Sequence, residues 1–211
     1  MPDMHSHART SSGWVVVIPV KPVAVGKSRL GAGPDAALAI ALDTIEAVAA
    51  AAEVSVVVVV TADERVADAV GALPEHGARR RVVHEVAPAG IRAAVAAGLV
   101  DVADASPRAV LLGDVPTLDP AELDAALRLA AGVDRAFVAD AEGTGTVLVT
   151  ARGGVELREA FGPGSAEGHR ALGLAELDLP AESGLRRDVD TPEQLADVVA
   201  RGGARRTTAL G

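Results

Sequence analysis

The chain has 211 residues, of which 49% are hydrophobic, and a formal net charge of −9 at pH 7. This length is sufficient for a full hydrophobic core and favours one domain. The negative charge argues against a nucleic-acid partner, and three aromatic residues are too few to stack the bases of a single strand. The absence of cysteine excludes disulfides and thiolate metal sites.

The chain has no segment of about 18 uncharged apolar residues, the length of a membrane-spanning helix. Its first dozen residues also lack the apolar run of a signal peptide. We therefore expect a cytoplasmic protein that does not bind membranes. The composition predicts a disordered tail over residues 1–13, a single domain over residues 14–200 and a second tail over residues 201–211.

The first apolar run, Trp14–Val20, predicts a central β-strand. The loop that follows contains three cations, Lys21, Lys27 and Arg29. It is not a P-loop, because that motif requires a glycine at the position of Lys21. Two interpretations remain: an open basic loop whose side chains bind a triphosphate, or a solvated surface turn.

Helical and strand patterns alternate through the next part of the chain. Apolar residues recur at helical spacing over residues 35–52, and the β-branched run Val54–Val60 predicts a second strand. Thr61 ends that strand and is a candidate nucleotide contact, and the polar residues Thr61–Glu64 supply the cap of a helix through Val70. The segment Arg81–Val86 predicts a third strand.

Small residues around Gly90 open a helix that is predicted to run to about Val102. At a turn between strand and helix, small residues permit a flat purine to approach the backbone, so Gly90 is a second candidate nucleotide contact. An ordinary helix start is the alternative.

The apolar run Val110–Leu118 contains Gly113 and Asp114. If it forms a buried parallel strand that ends here, Asp114 lies at the carboxyl end, where open α/β sheets bind their ligands. A simple turn, in which Asp114 bonds its own backbone, is the alternative. The residues Asp119–Glu122 form a helix-capping signature in which Glu122 reaches back toward the cap.

Two glycine-containing loops lie in the second half of the chain. The strand Arg135–Ala139 is followed by the loop Asp140–Thr146, which either offers N–H groups and hydroxyls to an anion or forms a plain hairpin turn. The loop Phe161–Ala166 has the same two interpretations: either Ser165 caps a helix that reaches Leu172 and leaves N–H groups free for a carboxylate or phosphate, or the loop is a plain turn.

The residues Thr191–Gln194 form a second capping box, so the segment before them is predicted to be extended. In an extended segment, Asp188 and Asp190 share one face. Their charges repel unless a cation or solvent compensates them, and no Lys or Arg lies between them.

Together these elements predict an α/β three-layer sandwich, with a mainly parallel sheet between two layers of helices. The strand ends bring Asp114 together with Asp188 and Asp190, whose hard oxygen atoms suit Mg²⁺, an ion that keeps coordination positions for phosphates. The sequence contains no activated nucleophile. A phosphate acceptor with a second pKa of about 6 needs no general base. Phosphoryl or nucleotidyl transfer by metal binding and orientation is therefore expected.

Five segments, in this order and spacing, resemble the 2-phospho-L-lactate/phosphoenolpyruvate guanylyltransferase family of coenzyme F-420 biosynthesis: residues 14–30, 111–118, 140–148, 161–165 and 188–195. The carboxylate motifs alone are shared by many nucleotidyltransferases of related fold. The combination of Phe161–Ser165 with the basic loop is more particular to this family.

The resemblance implies a nucleotide-diphospho-sugar-transferase-like fold and a transfer of GMP from GTP, dependent on Mg²⁺, to the phosphate of a three-carbon phosphoacid, with release of pyrophosphate. It implies acceptor contacts at Thr146, Gly162 and Ser165. It implies metal binding at Asp114 with Asp188 or Asp190. The candidate nucleotide contacts are Lys21, Lys27, Thr61 and Gly90, and the candidate catalytic residues are Lys21, Lys27, Arg29 and Asp114.

The chain departs from the family pattern at Arg92, where the family usually has Asn. Its composition resembles that of actinobacterial members, which favours phosphoenolpyruvate over 2-phospho-L-lactate and predicts that enolpyruvyl-diphospho-5'-guanosine passes to the next pathway transferase. Three alternatives stay open: the same reaction on 2-phospho-L-lactate, a cytidylyl- or molybdopterin-type nucleotidyltransferase, and a noncatalytic nucleotide-binding regulator. The sequence leaves the oligomeric state open.

Overall fold

The β-branched runs of the sequence form one mixed sheet in the computed structural model, which describes residues 13–23, 33–202 and 204–209. The strands are β1 (Trp14–Pro19), β2 (Val54–Thr61), β3 (Arg79–His84), β4 (Arg108–Leu111), β5 (Arg135–Ala139), β6 (Thr146–Ala151) and β7 (Ala175–Glu176). The helices are α1 (Gly33–Ala50), α2 (Glu64–Gly71), α3 (Ile91–Leu99), α4 (Pro120–Ala130), α5 (Ser165–Ala171), α6 (Pro192–Arg201) and α7 (Arg205–Thr208).

The strand order across the sheet is β3-β2-β1-β4-β6-β5-β7. Strand β1 is parallel to β2 and β4, β2 is parallel to β3, and β5 is parallel to β7. Strand β6 runs antiparallel to both of its neighbours, β4 and β5. The carboxyl ends of β1 to β5 and the amino end of β6 therefore lie at one edge of the sheet, and the prediction of a mainly parallel sheet is confirmed.

Helices cover both faces of this sheet, which gives the predicted three layers. Val16 and Ile18 of β1 pack with α1, α2 and α4 on one face, whereas Val15 and Val17 pack with α3 on the other. Helix α5 packs on β5 and β6 on the face that α3 covers. Helix α3 lies so close to the sheet that a Cβ atom at Gly98 would be 2.5 Å from Val17 Cγ1.

The capping signatures locate the helix starts correctly. Asp63, Asp119 and Thr191 are the N-caps of α2, α4 and α6, and Thr191 forms the predicted capping box with Gln194. Glu122 behaves differently from the prediction, because its carboxylate accepts the N–H of Leu185 at 3.3 Å. The turn over residues 184–186 packs against α4, so its N–H group takes the place of the helix cap as the hydrogen-bond partner of this carboxylate.

Some element boundaries differ from the sequence prediction. Strand β4 ends at Leu111, and Asp114 lies in the turn that follows. The N–H of Leu112 still donates to the Val147 carbonyl at 3.0 Å, so the chain leaves the sheet only after this residue. Strand β3 begins and ends two residues before the predicted segment, and α3 ends at Leu99. The two-residue strand β7 has no hydrophobic pattern that predicts it.

The predicted N-terminal tail, apart from Gly13, lies outside the described residues. The residues after Arg201, which we expected to form a tail, include α7, which packs on α1. The buried carboxylate of Asp43 accepts the N–H groups of Arg206 and Thr207 and the hydroxyl of Thr207. None of the described helices has the length and apolar character needed to span a membrane.

We predict that Asp43→Ala lowers the free energy of unfolding by about 2–4 kcal/mol, because it leaves two backbone N–H groups without their acceptor. Guanidinium denaturation measures this loss. Asp134→Ala is the matched control, since it removes an exposed ion pair with Arg152 and should change the value by less than about 0.5 kcal/mol. An Asp43→Ala protein as stable as this control would contradict the packing of α7 on α1.

Candidate nucleotide and metal site

The two carboxylate segments predicted from the sequence meet at the edge of the sheet where the parallel strands end. The N–H of Val189 donates to the carbonyl of Asp114 at 2.9 Å. This backbone hydrogen bond holds the segment 188–190 against the turn that follows β4. The structure therefore brings Asp114 close to Asp188 and Asp190, as predicted.

The segment 188–190 has the alternation expected of an extended chain. Val189 is buried, whereas Asp188 is half-buried and Asp190 is exposed. The Asp190 N–H donates to Gln194 Oε1 at 2.7 Å, so the capping box of α6 fixes the end of this segment. The exposure of these three residues therefore alternates as predicted for an extended segment.

Asp188 is the carboxylate of this group that its neighbours affect strongly. Burial, as the largest cause, and the neighbouring carboxylates of Asp114, Asp190, Asp140 and Glu142 together raise the pKa of Asp188 to about 7. A group with this pKa is only partly ionised near neutral pH. The site thus contains negative charge that is costly without a compensating cation.

The chemistry of these donors fits a hard divalent cation, since all of the oxygen ligands are carboxylates. Among the described residues, no group of three or more His, Asp or Glu side chains is arranged closely enough to enclose a metal ion. Mg²⁺ is often held by one or two carboxylates together with substrate phosphates and water. The site therefore fits an ion shared with a phosphate ligand, and metal binding by Asp114, Asp188 and Asp190 stays a prediction.

A cavity of about 260 Å³ borders Asp188. Its wall includes Thr117 and Glu142 together with Arg187 and Asp197. The hydroxyl of Thr117 and Nε of Arg187 are buried there without a hydrogen-bond partner among the described residues. A polar ligand that extends from the carboxylates into this cavity would contact a positively charged side chain, Arg187, as well as the negatively charged Glu142 and Asp197.

The basic loop starts at the same edge of the sheet. Lys21 is exposed just beyond the end of β1, and the N–H of Val23 donates to Asp63 Oδ2 at 2.8 Å. This contact ties the start of the loop to the cap of α2. Lys27 and Arg29 lie outside the described residues.

The two other candidate nucleotide contacts also lie at this edge. Thr61 is the buried last residue of β2, and its hydroxyl oxygen accepts the N–H of Asp63 at 3.1 Å. Gly90 precedes α3 with a positive φ of 91°, and apart from its two chain neighbours no described residue has an atom within 4 Å of a Cβ atom built there. The open space at Gly90 permits the close backbone approach that a purine would need. Nucleotide binding by Thr61 and Gly90 stays a prediction.

The loop between β5 and β6 is a hairpin turn in which the Asp140 carboxylate already accepts two of the backbone N–H groups. Asp140 accepts the N–H of Thr144 at 2.9 Å and that of Gly145 at 2.7 Å. A Cβ atom at Gly145 would be 2.2 Å from Asp140 Oδ2, so the turn requires glycine there. The interpretation of this loop as an anion-binding backbone is therefore wrong for these two N–H groups.

The predicted acceptor residues lie close together around the start of α5. Thr146 is the first residue of β6, and the carbonyl of Thr144, two residues before it, accepts the N–H of Ala166 at 3.1 Å. Gly162 has a φ of 145°, a backbone conformation that favours glycine. The structure thus gathers Thr146, Gly162 and Ser165 at one place, and their contact with an acceptor stays a prediction.

The prediction that Ser165 caps α5 is wrong. Gly164, with a φ of 70°, occupies the cap position, and Ser165 is the first helical residue. The N–H of Ser165 donates to the Gly162 carbonyl at 3.1 Å, and the N–H of Ala166 is also bonded. These two groups are not free for a carboxylate or phosphate, because the left-handed turn at Gly164 folds the loop back onto them.

Sequence reasoning missed His169, which lies in α5 one turn after Ser165. Its ring is fully buried, with Nδ1 at 2.9 Å from Thr146 Oγ1 and Nε2 accepting the N–H of Ala160 at 2.9 Å. Burial lowers the pKa of His169, partly opposed by the carboxylate of Glu159. A helical spacing of four from Ser165 was the only sequence signal that pointed to it.

Comparison with solved structures confirms the predicted fold. A nucleotidyl transferase from Methanothermobacter thermautotroptrophicus superposes with a TM-score of 0.60 at 18% identity, over 88% of this chain and 95% of that one. A CMP:2-keto-3-deoxy-manno-octonic acid synthetase, solved with CTP, superposes with a TM-score of 0.58 at 21% identity, over 90% and 98%. At these identities the similarity shows the fold alone.

Curated relatives are more similar in sequence. The phosphoenolpyruvate guanylyltransferase of Thermomonospora curvata is 45% identical over 205 residues, which cover 93% of this chain and 88% of the relative. The protein of the same name from Streptomyces scabiei is 44% identical over 209 residues, with coverage of 93% and 94%. A family model described as "Guanylyl transferase CofC like" matches residues 14–209. The chain therefore belongs to the CofC-like guanylyl transferase family.

Proposed function

We propose that this protein is a phosphoenolpyruvate guanylyltransferase, which transfers GMP from GTP to the phosphate of phosphoenolpyruvate. The observation that carries the proposal is the hydrogen bond from Val189 to the Asp114 carbonyl, which joins two carboxylate segments at the sheet edge. Lys21 and Thr146 lie at the same edge. The family membership and the name of the relatives from T. curvata and S. scabiei support it.

The proposed reaction needs little from the protein beyond binding and orientation. A phosphate oxygen of phosphoenolpyruvate attacks the α-phosphorus of GTP and forms a new P–O–P bond. The bond between the α-phosphorus and the bridging oxygen breaks, and pyrophosphate leaves with the electron pair. The attacking phosphate has a second pKa of about 6 and is largely dianionic at neutral pH, so no general base is required. The product is enolpyruvyl-diphospho-5'-guanosine.

The basic loop is our proposed binding element for the triphosphate. Lys21 and Lys27 are the only lysines of the 211-residue sequence, and Arg29 follows them closely. An acidic protein needs a local cluster of positive charge to bind GTP, which is itself strongly anionic. Charge-assisted hydrogen bonds from these side chains would orient the α-phosphate for attack and stabilise the leaving pyrophosphate.

The carboxylates of Asp114 and of Asp188 or Asp190 are the proposed ligands of Mg²⁺. When bound, the ion supplies Lewis-acid stabilisation of the charge on the phosphates. The carboxylates would orient the triphosphate through it, and the negative charge at the site would be compensated. The half-buried position of Asp188 favours a bound cation over solvent as its partner.

The acceptor is proposed to contact Thr146, Gly162 and Ser165. Phosphoenolpyruvate and 2-phospho-L-lactate share a carboxylate and a phosphate, so these contacts serve both, and the relatives' name favours the former. The labile product would pass to the next transferase of coenzyme F-420 biosynthesis. Such a transfer between enzymes requires no nucleic acid and no membrane.

We predict that Asp114→Asn lowers kcat/KM at saturating Mg²⁺ by at least about 100-fold, because a neutral amide is a poor ligand for a hard cation. Pyrophosphate release measures the activity, and circular dichroism checks the fold. Asp68→Asn, an exposed position on α2, is the control and should match the wild type. Near-wild-type turnover of Asp114→Asn would overturn the metal assignment.

We predict that Lys27→Ala weakens GTP binding by about 10-fold or more, since it removes a charge-assisted hydrogen bond to phosphate. Calorimetry at fixed ionic strength measures the dissociation constant. Arg128→Ala on α4 removes one positive charge far from the sheet edge and controls for net charge. If both variants bind GTP as the wild type does, the loop is a solvated turn.

The reaction itself is tested with purified protein, Mg²⁺, GTP and one phosphoacid at a time. The next pathway transferase and its deazaflavin acceptor are present in each assay to trap a labile product. We expect pyrophosphate and coupled product with phosphoenolpyruvate. Product with 2-phospho-L-lactate alone would change the acceptor assignment. Nucleotide binding without pyrophosphate from either phosphoacid would favour a noncatalytic regulator.

A further inference from the structure

We infer that His169 is a positioning residue for the acceptor, because it holds the Thr146 hydroxyl as a hydrogen-bond donor. This inference rests on the proposed function for the identity of the ligand. It adds to that function a specific role for Thr146, whose hydroxyl donates its hydrogen bond to an anionic oxygen of the phosphoacid.

The hydrogen bonds of the ring define its tautomer. The backbone N–H of Ala160 can only donate, and it lies 2.9 Å from Nε2 of His169. Nε2 must therefore be unprotonated, and in a neutral imidazole the proton is then on Nδ1. Burial lowers the pKa of His169, which favours the neutral ring that this arrangement requires.

The tautomer in turn defines the role of Thr146. Nδ1–H lies 2.9 Å from Thr146 Oγ1 and donates to it. The hydroxyl oxygen is an acceptor in this contact, so its own proton has to be donated elsewhere. Among the described residues the hydroxyl forms no second hydrogen bond that would use this proton, although Thr146 is buried, at 3% exposure. A ligand oxygen at the sheet edge would satisfy it.

The position of the His169 ring is fixed by its neighbours, so the ring can hold the Thr146 hydroxyl in this hydrogen bond. It contacts both phenylalanines of the chain, with centroid distances of 5.5 Å to Phe137 and 5.3 Å to Phe161. Its own helix begins at Ser165, and its contact with Ala160 anchors the chain just before Gly162. One buried side chain thus links the three backbone segments that contain the predicted acceptor contacts.

Alternative roles of the ring are less consistent with these contacts. A general base would need a free ring nitrogen near the acceptor, and both nitrogens of His169 are used in hydrogen bonds to the protein. A packing role alone would not require polar atoms at either position. The polar contacts therefore point to orientation of Thr146 and of the loop before Gly162.

Two substitutions separate the two hydrogen bonds of the ring. In His169→Asn the side-chain amide NH2 can occupy the position of Nδ1 and still donate to Thr146. In His169→Gln the amide oxygen can occupy the position of Nε2 and accept the Ala160 N–H, while the donor to Thr146 is lost. We expect His169→Gln to raise KM for phosphoenolpyruvate about 10-fold or more, with KM for GTP unchanged, and His169→Asn to raise it less.

A double-mutant cycle with Thr146→Val tests whether the effect passes through the hydroxyl. Thr146→Val should raise KM for phosphoenolpyruvate at least as much as His169→Gln, and His169→Gln should add nothing in the Thr146→Val background. Fully additive effects, or equal rises in KM for both substrates, would indicate a merely structural role and overturn the inference.

A measurement on the wild-type protein covers the case in which a variant does not fold. Nitrogen-15 NMR of the labelled imidazoles distinguishes the tautomers, and we expect the buried histidine to be neutral with its proton on Nδ1 at pH 7. A ring with its proton on Nε2 would overturn the inference whatever the substrate is. Inactivity with both phosphoacids would instead overturn the proposed function and leave this NMR result unaffected.

Discussion

The hydrogen bond from the Val189 N–H to the Asp114 carbonyl is the interaction on which the site depends. It joins a turn in the middle of the sheet to a segment near the end of the chain. Without it, the carboxylates would belong to two separate surface features. With it, the charges of Asp114 and Asp188 lie close enough that burial and mutual repulsion raise the pKa of Asp188 to about 7. This stored repulsion is what a cation shared with a triphosphate would relieve.

Several of these features were predictable because their causes are local. The continuous β-branched runs of β1 and β2 and the capping box at Thr191 depend on residues that are neighbours in the sequence. The side-by-side placement of Asp188 and Asp190 follows from the alternation of an extended chain. The meeting of strand ends at one edge follows from parallel pairing, so the approximate position of the site was also predictable.

The remaining features depend on contacts between distant segments. The Asp140 carboxylate accepts the N–H groups of Thr144 and Gly145. The same residues would also permit a turn in which these N–H groups bind an anion, so the sequence alone does not distinguish the two. The burial of His169 depends on Phe137 and Phe161, which lie on different elements. The docking of α7 depends on Asp43, about 160 residues earlier in the chain. No local pattern contains this information.

The most direct test of the account is to locate the metal ion. A crystal of the protein with Mn²⁺ and a GTP analogue that resists transfer would show the ion by anomalous scattering. The account predicts one peak within coordination distance of Asp114 and of Asp188 or Asp190, with further ligands from the nucleotide phosphates. A nucleotide bound without any ion at these carboxylates, or an ion bound elsewhere on the chain, would contradict it.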